Sequence, residues 1–416
     1  MFLLYKILSN LVFIFSPIII FIRLFKKKEN QTRFKEKFGF YNIKKIKGNL
    51  IWFHGASVGE ILSIIPIVEK LEKNRLIKQI LITTNTVSSS KVLSNLKLKK
   101  TIHQFFPIDT NHHSQKFLNY WKPTVAIFVD SEIWPNMITN IKKKSIFLIL
   151  LNARITDRSF RRWKIFSSIA RILFQKFDIC LTASLKSKNY LRLLGSQRVK
   201  YIGNLKFTQS EKNKGDLNKN LKKFFSSKKI WCASSTHNIE ENFCANTHKK
   251  LKVKYDNLLT IIIPRHINRT EKIIGEMQKL NLKVHIHGSK EKINKQTDIY
   301  LVNTFGQTQS FFKVCKTVFL GGSIIKHGGQ NPLEAARYGC RILHGPNIWN
   351  FEEIYNLLKR YKVSNKVIDP NQLALEIDKM LSNKNNSKDL QLKIKKLGIK
   401  ILNSTLNEIN FYINKK

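Results

Sequence analysis

The chain has 416 residues, with 74 lysines and arginines against 27 aspartates and glutamates, so its formal net charge is +47. This length exceeds one ordinary hydrophobic core and predicts at least two domains. Its hydrophobic fraction of 43% is normal for a globular protein. Five cysteines are scattered without C-x-x-C pairs, which indicates buried, reduced thiols and excludes a disulfide framework or a zinc site.

The positive charge is spread over every segment of the chain. A field of this size attracts polyanions, such as nucleic acid, an anionic membrane or a phosphorylated substrate. The chain is also rich in asparagine and isoleucine throughout, so compositional drift explains much of the magnitude. Charge alone therefore does not choose among these partners.

The N-terminus predicts a membrane anchor over residues 1–25. Residues 7–22 are uncharged, contain Pro17, and are followed by Arg23 and the run 26–28 of three lysines. As a helix, 7–22 spans roughly 24 Å, slightly less than the ~30 Å hydrocarbon layer, so the anchor either spans the bilayer or lies in its interface. The basic cluster predicts that the rest of the chain stays cytoplasmic. A cleaved signal peptide and a buried core helix are the alternatives.

Short apolar runs alternate with amphipathic stretches along most of the chain, which predicts parallel sheets with helices on both faces. The segment 208–228 lacks a long apolar run. We therefore predict an α/β fold of two Rossmann-like, doubly wound domains facing a cleft, at 26–207 and 229–416, with a linker at 208–228. The end of the chain, 371–416, is predicted to be helical, and its packing back across the domain boundary is left open. The predicted strands are Leu50–His54, Gln79–Thr84, Ile102–Phe106, Val125–Asp130, Ile146–Leu151, Ile179–Thr182 and Val199–Ile202, then Ile230–Ala233, Leu258–Ile263, Val284–His287, Ile299–Val302, Val318–Leu320 and Ile342–His344.

In the first domain, unusual polar residues follow three strands, where parallel sheets bind ligands. Small residues in His54–Glu60 allow a substrate to approach, and Glu60 meets the first helical turn, where it is either a general base or a dipole-favoured acid. Asp130 and Glu132 end another strand, with Arg154 as a candidate partner; a purely structural ion pair is the alternative. Lys206 lies beside the predicted cleft.

In the second domain, a glycine-rich loop with the pairs Gly321–Gly322 and Gly328–Gly329 lies between a short strand and a helix start. Asn331 is the predicted N-cap, Pro332 the first helical residue and Glu334 the third. Glycine lets a backbone pass close to a ligand, and a helix N-terminus presents N–H groups to an anion, so the loop predicts a phosphate or nucleotide site. A flexible loop before a well-capped helix is the alternative.

Three other strand ends of this domain fit the same interpretation. Ser235 and Thr236 supply hydroxyl donors, Arg265 can bind a phosphate through its guanidinium fork, and Phe305–Gln307 follows a further strand. Together with the glycine loop they predict a nucleotide pocket.

Taken in order along the chain, these motifs resemble the bacterial 3-deoxy-D-manno-octulosonic acid (Kdo) transferases of lipopolysaccharide synthesis, which are inverting glycosyltransferases with the GT-B fold. The resemblance covers nearly the whole chain. It is carried by the N-terminal anchor and by Arg33–Phe40, His54–Glu60, Asp130–Asn136, Leu151–Arg154, Gly203–Phe207, Ala233–His237, Pro264–His266, Phe319–Glu334, Gly345–Asn347 and Asn350–Phe351.

The resemblance implies CMP-Kdo as the donor and a phosphorylated lipid A precursor, lipid IVA, as the acceptor, at the anionic inner membrane of a bacterium. It implies that Glu60 is the base and that Asp130 or Glu132, with Lys206, stabilises developing charge. The family typically has glutamate at the position of Asp130 and often an acid at that of Gln307. The predicted donor-binding residues are Ser235, Thr236, Pro264, Arg265, Phe305, Gly306, Gln307, Gly322, Asn331, Pro332, Leu333 and Glu334, and the predicted acceptor-binding residues are Arg33, Gly55, Ser57 and Arg154.

No Asp-x-Asp motif that would hold a divalent ion is present in the sequence, so neither a metal nor a cofactor is expected. Two other functions compete with this prediction. A basic nucleic-acid-binding protein agrees with the charge, but the chain has no recognisable RNA- or DNA-binding module. A GT-B sugar-nucleotide enzyme with a soluble acceptor agrees with the domains but leaves the N-terminal segment unexplained.

Overall fold

The computed structural model describes residues 2–209, 216–289, 291–382 and 387–415. The chain divides into two compact units. The first comprises Met1–Ser210 together with Leu397–Lys416, and the second comprises Glu211–Lys396.

The first unit is built on a parallel sheet of seven strands in the order β3-β2-β1-β4-β5-β6-β7. Its central strands are continuous apolar runs because helices cover both faces. The strands are β1 Asn49–His54, β2 Ile77–Thr84, β3 Thr101–Phe105, β4 Val125–Val129, β5 Phe147–Ala153, β6 Ile179–Thr182 and β7 Val199–Tyr201.

The helices of this unit lie on opposite faces of the sheet because right-handed crossovers run in both directions from β1. The crossovers through α2 and α3 lead from β1 toward β3, and those through α4, α5, α7 and α8 lead in the opposite direction along the sheet. Helices α4, α5, α7 and α8 cover a core that includes Trp52, Phe128 and Phe174. The helices are α1 Phe2–Phe25, α2 Val58–Leu71, α3 Val87–Ser94, α4 Asn111–Trp121, α5 Pro135–Lys143, α6 Asp157–Ile165, α7 Ser167–Phe174 and α8 Leu185–Leu193.

The second unit has its own seven-stranded parallel sheet, in the order β10-β11-β9-β8-β12-β13-β14. Its strands are β8 Lys229–Thr236, β9 Leu258–Pro264, β10 Val284–Ile286, β11 Ile299–Leu301, β12 Thr317–Leu320, β13 Arg341–His344 and β14 Ser364–Lys366. Its helices are α9 Lys219–Ser226, α10 Glu240–Lys252, α11 Thr270–Lys279, α12 Thr308–Phe312, α13 Leu333–Arg337, α14 Glu352–Arg360 and α15 Pro370–Ser382, and α16 Ser387–Asn414 begins in this unit.

The predicted fold class of two parallel-sheet α/β domains is confirmed, and each predicted strand corresponds to an observed one. The short polar strand β14 was not predicted because it has no apolar run. The division between the two units, between Ser210 and Glu211, falls inside the predicted linker 208–228, but two details of the predicted boundaries differ. Within the predicted linker 208–228, residues Lys219–Ser226 form α9, whose Phe225 is buried against Tyr300 of β11; residues 210–215 lie outside the described part.

The end of the chain was also wrongly assigned to the second domain. From Leu397 onward, α16 belongs to the first unit. Tyr412 packs on Phe147 of β5 with ring centroids 5.2 Å apart, and its hydroxyl donates to the Asp178 carbonyl at 3.2 Å. Gly203 has a φ of 109° and lies against Ile401, where a Cβ would come within 2.9 Å of the isoleucine side chain. Apolar burial on the first sheet therefore determines where α16 ends.

Helix α1 packs on the first unit along one side only. The Tyr5 hydroxyl donates to Asp109 Oδ2 at 2.8 Å, Phe13 packs on His113, and Ser16 and Ile20 are buried. The opposite side exposes large apolar side chains, namely Leu11, Val12, Ile14, Phe15, Ile18, Ile19, Phe21, Ile22 and Phe25. Across the described part of the chain, no helix combines the length and apolar character needed to cross a bilayer.

Candidate active site

In the first unit, the loop after β1 holds Glu60 in a defined place. Ser57 is the N-cap of α2 and forms a capping box with Glu60. The Ala56 N–H donates to Glu60 Oε2 at 2.7 Å, and the Ser57 hydroxyl donates to Glu60 Oε1 at 2.8 Å. Gly55 leaves room for this carboxylate, because a Cβ there would lie 3.3 Å from the Glu60 Cβ. Glu60 is therefore an acid in the first turn of α2, and the capping box also fixes its carboxylate at the strand end.

Asp130 follows β4 in a left-handed conformation, with a φ of 57°. Its carboxylate accepts a hydrogen bond from the Asn152 side chain, and Asn152 in turn accepts the Leu205 N–H at 2.9 Å. Burial raises the pKa of Asp130 to about 6, and the charge of Glu60 adds to this, while Asn152, Lys206 and Arg154 oppose it. The structure thus brings Asp130 into the electrostatic neighbourhood of the other predicted groups.

Lys206 belongs to the same cluster. Burial lowers its pKa, Arg154 acts in the same direction, and the negative charges of Asp130 and Glu60 act against both. The four side chains predicted separately, Glu60, Asp130, Arg154 and Lys206, therefore form one charged group at the carboxyl edge of the sheet.

Glu132 has a different set of partners. Its Oε2 lies 3.2 Å from His54 Nε2 and accepts the Trp134 indole N–H at 2.8 Å. Burial alone would raise the pKa of Glu132, but the His54 and Trp134 contacts outweigh burial and lower it. Of the two acids left open by the sequence, Asp130 is the one coupled to Glu60 and Lys206.

Arg33, predicted to bind the acceptor, is held by groups elsewhere in the unit. Its guanidinium donates twice to Glu36, at 2.6 and 3.0 Å, and once to the His103 carbonyl at 2.8 Å. It lines a cavity of 230 Å³ between α3 and β3.

In the second unit, β8 and β9 bring the predicted hydroxyls and Arg265 to one edge. The pairing of β8 shifts register between Ser234 and Thr236, and Ser235 between them has a φ of 57°. Thr236 pairs with Pro264, and its carbonyl accepts the Arg265 N–H at 2.9 Å. The Thr236 hydroxyl is buried without a hydrogen-bond partner among the described residues, whereas Arg265 is exposed.

Phe305–Gln307 follows β11, the strand that pairs with β9. Phe305 is 76% exposed, which leaves its ring open to a ligand, and Gly306 has a φ of 82°. The Gln307 side chain contacts His287 Nε2 at 2.7 Å. Gly306, Gln307 and His287 line a cavity of 420 Å³ together with residues of the segment before α9.

The start of the glycine loop after β12 is held by a side chain from α10. Its N–H groups are already bound by the buried carboxylate of Glu240, which accepts from Gly322, Ser323 and Ile324 at 2.7, 3.0 and 2.9 Å. The His237 N–H donates to the same carboxylate at 3.0 Å. These contacts outweigh the cost of burial and lower the pKa of Glu240. The N–H groups of Gly322, Ser323 and Ile324 are therefore occupied by Glu240 and are not available to a phosphate.

The predicted helix start after this loop is also shifted. Helix α13 begins at Leu333, with Pro332 as its N-cap. Asn331 Oδ1 accepts the Leu333 N–H at 3.2 Å, and the Glu334 carboxylate accepts from the Gln309 side chain at 2.8 Å. The Glu334 contact therefore joins α13 to α12.

Two residues that hold these sites in place, Asn152 and Glu240, were not predicted from the sequence. Asn152 follows a predicted strand directly, and this position could have drawn attention to it. Glu240 opens α10 among other acids, and its partner Gly322 lies 82 positions further along the chain. No local pattern predicts a pairing over that distance.

Two parallel-sheet α/β units with polar side chains at the carboxyl ends of their strands define a two-domain architecture that resembles the GT-B fold. The structure is similar to UDP-GlcNAc 2-epimerase from Neisseria meningitidis bound to UDP-GlcNAc, with a TM-score of 0.58 and 13% identity over 88% of this chain and 100% of that one. It is also similar to the glycotransferase of kitacinnamycin, with a TM-score of 0.52 and 10% identity over 88% and 100% of the two chains. At these identities the likeness concerns the fold alone.

The sequence defines the group within this class. Residues 32–209 match the family described as 3-deoxy-D-manno-octulosonic-acid transferase (kdotransferase). The chain is 32% identical to the 3-deoxy-D-manno-octulosonic acid transferase of Rickettsia bellii, over 93% of this chain and 92% of that protein. The chain therefore belongs to the 3-deoxy-D-manno-octulosonic acid transferase family of glycosyltransferases, which confirms the resemblance.

Proposed function

We propose that this chain transfers Kdo from CMP-Kdo to a phosphorylated lipid A precursor, lipid IVA, in lipopolysaccharide core biosynthesis, with inversion at the anomeric carbon. The observation that carries the proposal is the charged group of Glu60, Asp130, Arg154 and Lys206 at one sheet edge, in a chain of this family.

Glu60 is the proposed general base. Its two oxygens are oriented by the Ala56 N–H and the Ser57 hydroxyl, so the carboxylate is held before the acceptor arrives. As the acceptor hydroxyl oxygen forms its bond to the anomeric carbon, its proton passes to Glu60. The bond from that carbon to the CMP phosphate breaks in the same step, and CMP leaves with the electron pair.

Asp130 and Lys206 are the proposed stabilisers of the charge that develops during this step. Asn152 fixes Asp130 through its amide, and Arg154 adds positive charge to the cluster. Gly55 and Ser57 border the same carboxylate, so they and Arg154 are proposed to meet the acceptor. Arg33 is proposed to contribute only at the periphery, since Glu36 already holds its guanidinium.

The second unit is proposed to hold CMP at the carboxyl edge of its sheet. The exposed Arg265 guanidinium supplies the positive charge for the phosphate, because Glu240 occupies the N–H groups of Gly322, Ser323 and Ile324. The hydroxyls of Ser235 and Thr236, the exposed Phe305 ring, Gln307 and Glu334 supply the remaining polar and stacking contacts.

We also infer that α1 attaches the chain to the cytoplasmic face of the inner membrane. One side of α1 packs on the first unit, and the other exposes nine large apolar side chains between Leu11 and Phe25. Lysines 26–28 follow at the end of the helix. An amphipathic helix of this kind lies in the bilayer interface, and adjacent basic residues favour anionic lipid.

The proposed role of Glu60 is tested by comparing Glu60→Gln with Glu69→Gln, an exposed acid on the same helix. The amide introduced by Glu60→Gln keeps an oxygen for the capping contacts but cannot take the acceptor proton. We expect kcat for Kdo transfer to fall by about 100-fold or more in Glu60→Gln, with CMP binding unchanged, and Glu69→Gln to behave as wild type. Near-normal transfer by Glu60→Gln would exclude Glu60 as the base.

A further inference from the structure

The first unit carries a second exposed apolar surface, separate from α1. Ile165 and Phe166 form the junction of α6 and α7 and are 74% and 47% exposed. Ile172 on α7 and Leu193 on α8 are 49% and 72% exposed. We call these four residues the apolar ridge. Ile172 and Leu193 border an open cavity of 620 Å³.

The ridge lies on helices whose other side chains are packed against the rest of the unit. The inward side chains of α6 are engaged, since Phe160 stacks on Tyr190 with ring centroids 4.1 Å apart and Trp163 packs edge-on against Phe174 at 5.3 Å. The four ridge residues point outward while their neighbours fill the core. Lys164 and Ser167, on either side of Ile165 and Phe166 in the chain, line the same cavity as Ile172 and Leu193. Large exposed apolar side chains grouped in this way mark a contact surface.

The charges around the ridge identify what it contacts. From residue 157 to residue 171, the chain has five basic side chains and one acid. The acid, Asp157, already accepts from Lys186 at 2.8 Å and from the Tyr190 hydroxyl. The basic side chains are exposed, and they are Arg158, Arg161, Arg162, Lys164 and Arg171. An apolar surface framed by exposed cations complements a lipid layer with anionic head groups.

The position of the ridge in the fold agrees with this partner. Helices α4, α5, α7 and α8 cover the same face of the first sheet. Helix α1 packs on α4 through Phe13 and His113, and Ser9 accepts from Asn136 of α5 at 3.1 Å. The ridge helices α7 and α8 and the helices that hold α1 therefore belong to the same layer of one unit.

We propose that the apolar ridge and its basic frame are a second membrane-contact site, which binds a bilayer containing anionic phospholipid. The apolar side chains enter the acyl boundary while the arginines and lysines bind lipid phosphates. Two attachment points on one unit restrict its rotation about α1, which a single helix does not do. Membrane binding at this site needs neither donor nor acceptor, so it can be tested separately from the transfer reaction.

The test compares full-length wild type with the fourfold variant Arg161→Glu/Arg162→Glu/Ile165→Ser/Phe166→Ser. All four side chains are at least partly exposed, and circular dichroism and thermal unfolding check that the variant folds. The matched control is Lys249→Glu/Lys250→Glu/Val253→Ser, which changes exposed charge and an 89% exposed valine in the second unit. Partition is measured by flotation with vesicles of phosphatidylethanolamine and phosphatidylglycerol, and with neutral phosphatidylcholine vesicles.

We expect the fourfold variant to partition about tenfold more weakly than wild type on anionic vesicles, and the control to stay within about twofold. On neutral vesicles the loss is smaller, because only the apolar contacts contribute. Partition of the fourfold variant equal to that of the control overturns the proposal. Unchanged partition with a raised KM for the acceptor also overturns it and assigns the ridge to the acceptor instead.

A direct measurement does not depend on comparing folded variants. All five native cysteines are buried, so Phe166→Cys gives one accessible position for an environment-sensitive fluorophore. Insertion predicts a blue shift of its emission on anionic vesicles and quenching by lipids that carry a spin label in the acyl chain. A label at Val253→Cys serves as the control and should do neither. Identical spectra at the two positions would contradict insertion.

Discussion

At the scale of the residue, Ile239 is the most strained position beside the candidate donor site. It has a φ of 80° and directly precedes Glu240, the side chain that holds the glycine loop. A β-branched residue is rarely found at positive φ, and such conformations cost about 1–3 kcal/mol. The Ile239 side chain is 62% exposed, so little burial offsets this strain.

We therefore predict that Ile239→Gly stabilises the protein. Glycine adopts positive φ without strain, and we expect the free energy of unfolding to rise by about 1 kcal/mol, net of the greater freedom of glycine in the unfolded chain. Urea unfolding measures the change. Val253→Gly, at an exposed position with a φ of −59°, is the control and should lower stability. A variant Ile239→Gly less stable than wild type would show that the isoleucine is not strained.

Asp130 predicts a particular dependence of stability on pH. The pKa of Asp130 is raised to about 6 in the folded protein. At pH values between the ordinary aspartate pKa and 6, the folded state therefore binds more protons than the unfolded state. Stability therefore falls as the pH rises through this window, and it is recovered below it.

Replacing Asp130 by asparagine removes this contribution and keeps an oxygen for the Asn152 hydrogen bond. We predict that Asp130→Asn is more stable than wild type by about 1–3 kcal/mol near pH 8 and equal to it near pH 4, while Kdo transfer is reduced. Unfolding curves over this range measure the difference. A difference that does not vary with pH would contradict the assigned cause. Burial also raises the pKa of Asp109 to about 6, so part of the dependence of stability on pH is present in both proteins.

At the scale of the element, the loop after β12 depends on a carboxylate from another helix. Glu240 accepts four backbone N–H groups, three of them from the residues that directly follow Gly321. Gly321 itself packs so closely on β8 that a Cβ would lie 2.5 Å from the Ser235 carbonyl oxygen. The loop is thus a fixed part of the proposed donor site.

We predict that Glu240→Gln loosens this loop, because the amide nitrogen would face N–H donors and leave them unpaired. The KM for CMP-Kdo should rise by about tenfold, and the free energy of unfolding should fall by about 2–4 kcal/mol. Glu241→Gln is the control, since Glu241 is equally buried and pairs with Arg269 at 3.0 Å. If both variants lose stability but bind the donor as wild type does, the loop does not position the donor.

Docking of α1 on the first unit depends in part on the Tyr5 hydroxyl, which donates to the buried Asp109. Asp109 also accepts the N–H groups of Asn136 and Met137 at the start of α5. We predict that Tyr5→Phe weakens docking by about 1 kcal/mol and speeds amide exchange in α1 by roughly fivefold. Tyr120→Phe, which removes a hydroxyl bound to the Ile43 carbonyl, should leave α1 unchanged. Equal amide exchange of α1 in wild type and Tyr5→Phe would show that this contact does not hold α1 on the first unit.

The sequence predicted the strands well because buried parallel strands are short apolar runs, as in Val125–Val129 and Leu258–Pro264. It placed Glu60, Asp130, Arg154 and Lys206 correctly at one edge, because parallel strands end together. It could not predict the Glu240 contacts, which join residues far apart, and it left open whether the end of the chain packs back on the first domain. Those features depend on tertiary packing, and a local pattern contains no sign of it.

At the scale of the whole molecule, each unit contributes one half of the proposed reaction. The first carries the charged group around Glu60 and two surfaces suited to lipid, and the second carries Arg265 and the loop held by Glu240. The net charge of +47 agrees with a phosphorylated substrate and an anionic membrane surface, although it did not distinguish them from nucleic acid by itself.

The central claim is Kdo transfer to a lipid A precursor, and the mass of the product tests it most directly. Purified wild type and Glu60→Gln are incubated with CMP-Kdo and tetraacylated lipid IVA in vesicles, and the lipid is analysed by mass spectrometry. We predict that wild type adds the mass of one or more Kdo residues and that Glu60→Gln adds almost none. Unmodified lipid IVA after incubation with a folded, CMP-binding wild type would contradict the account.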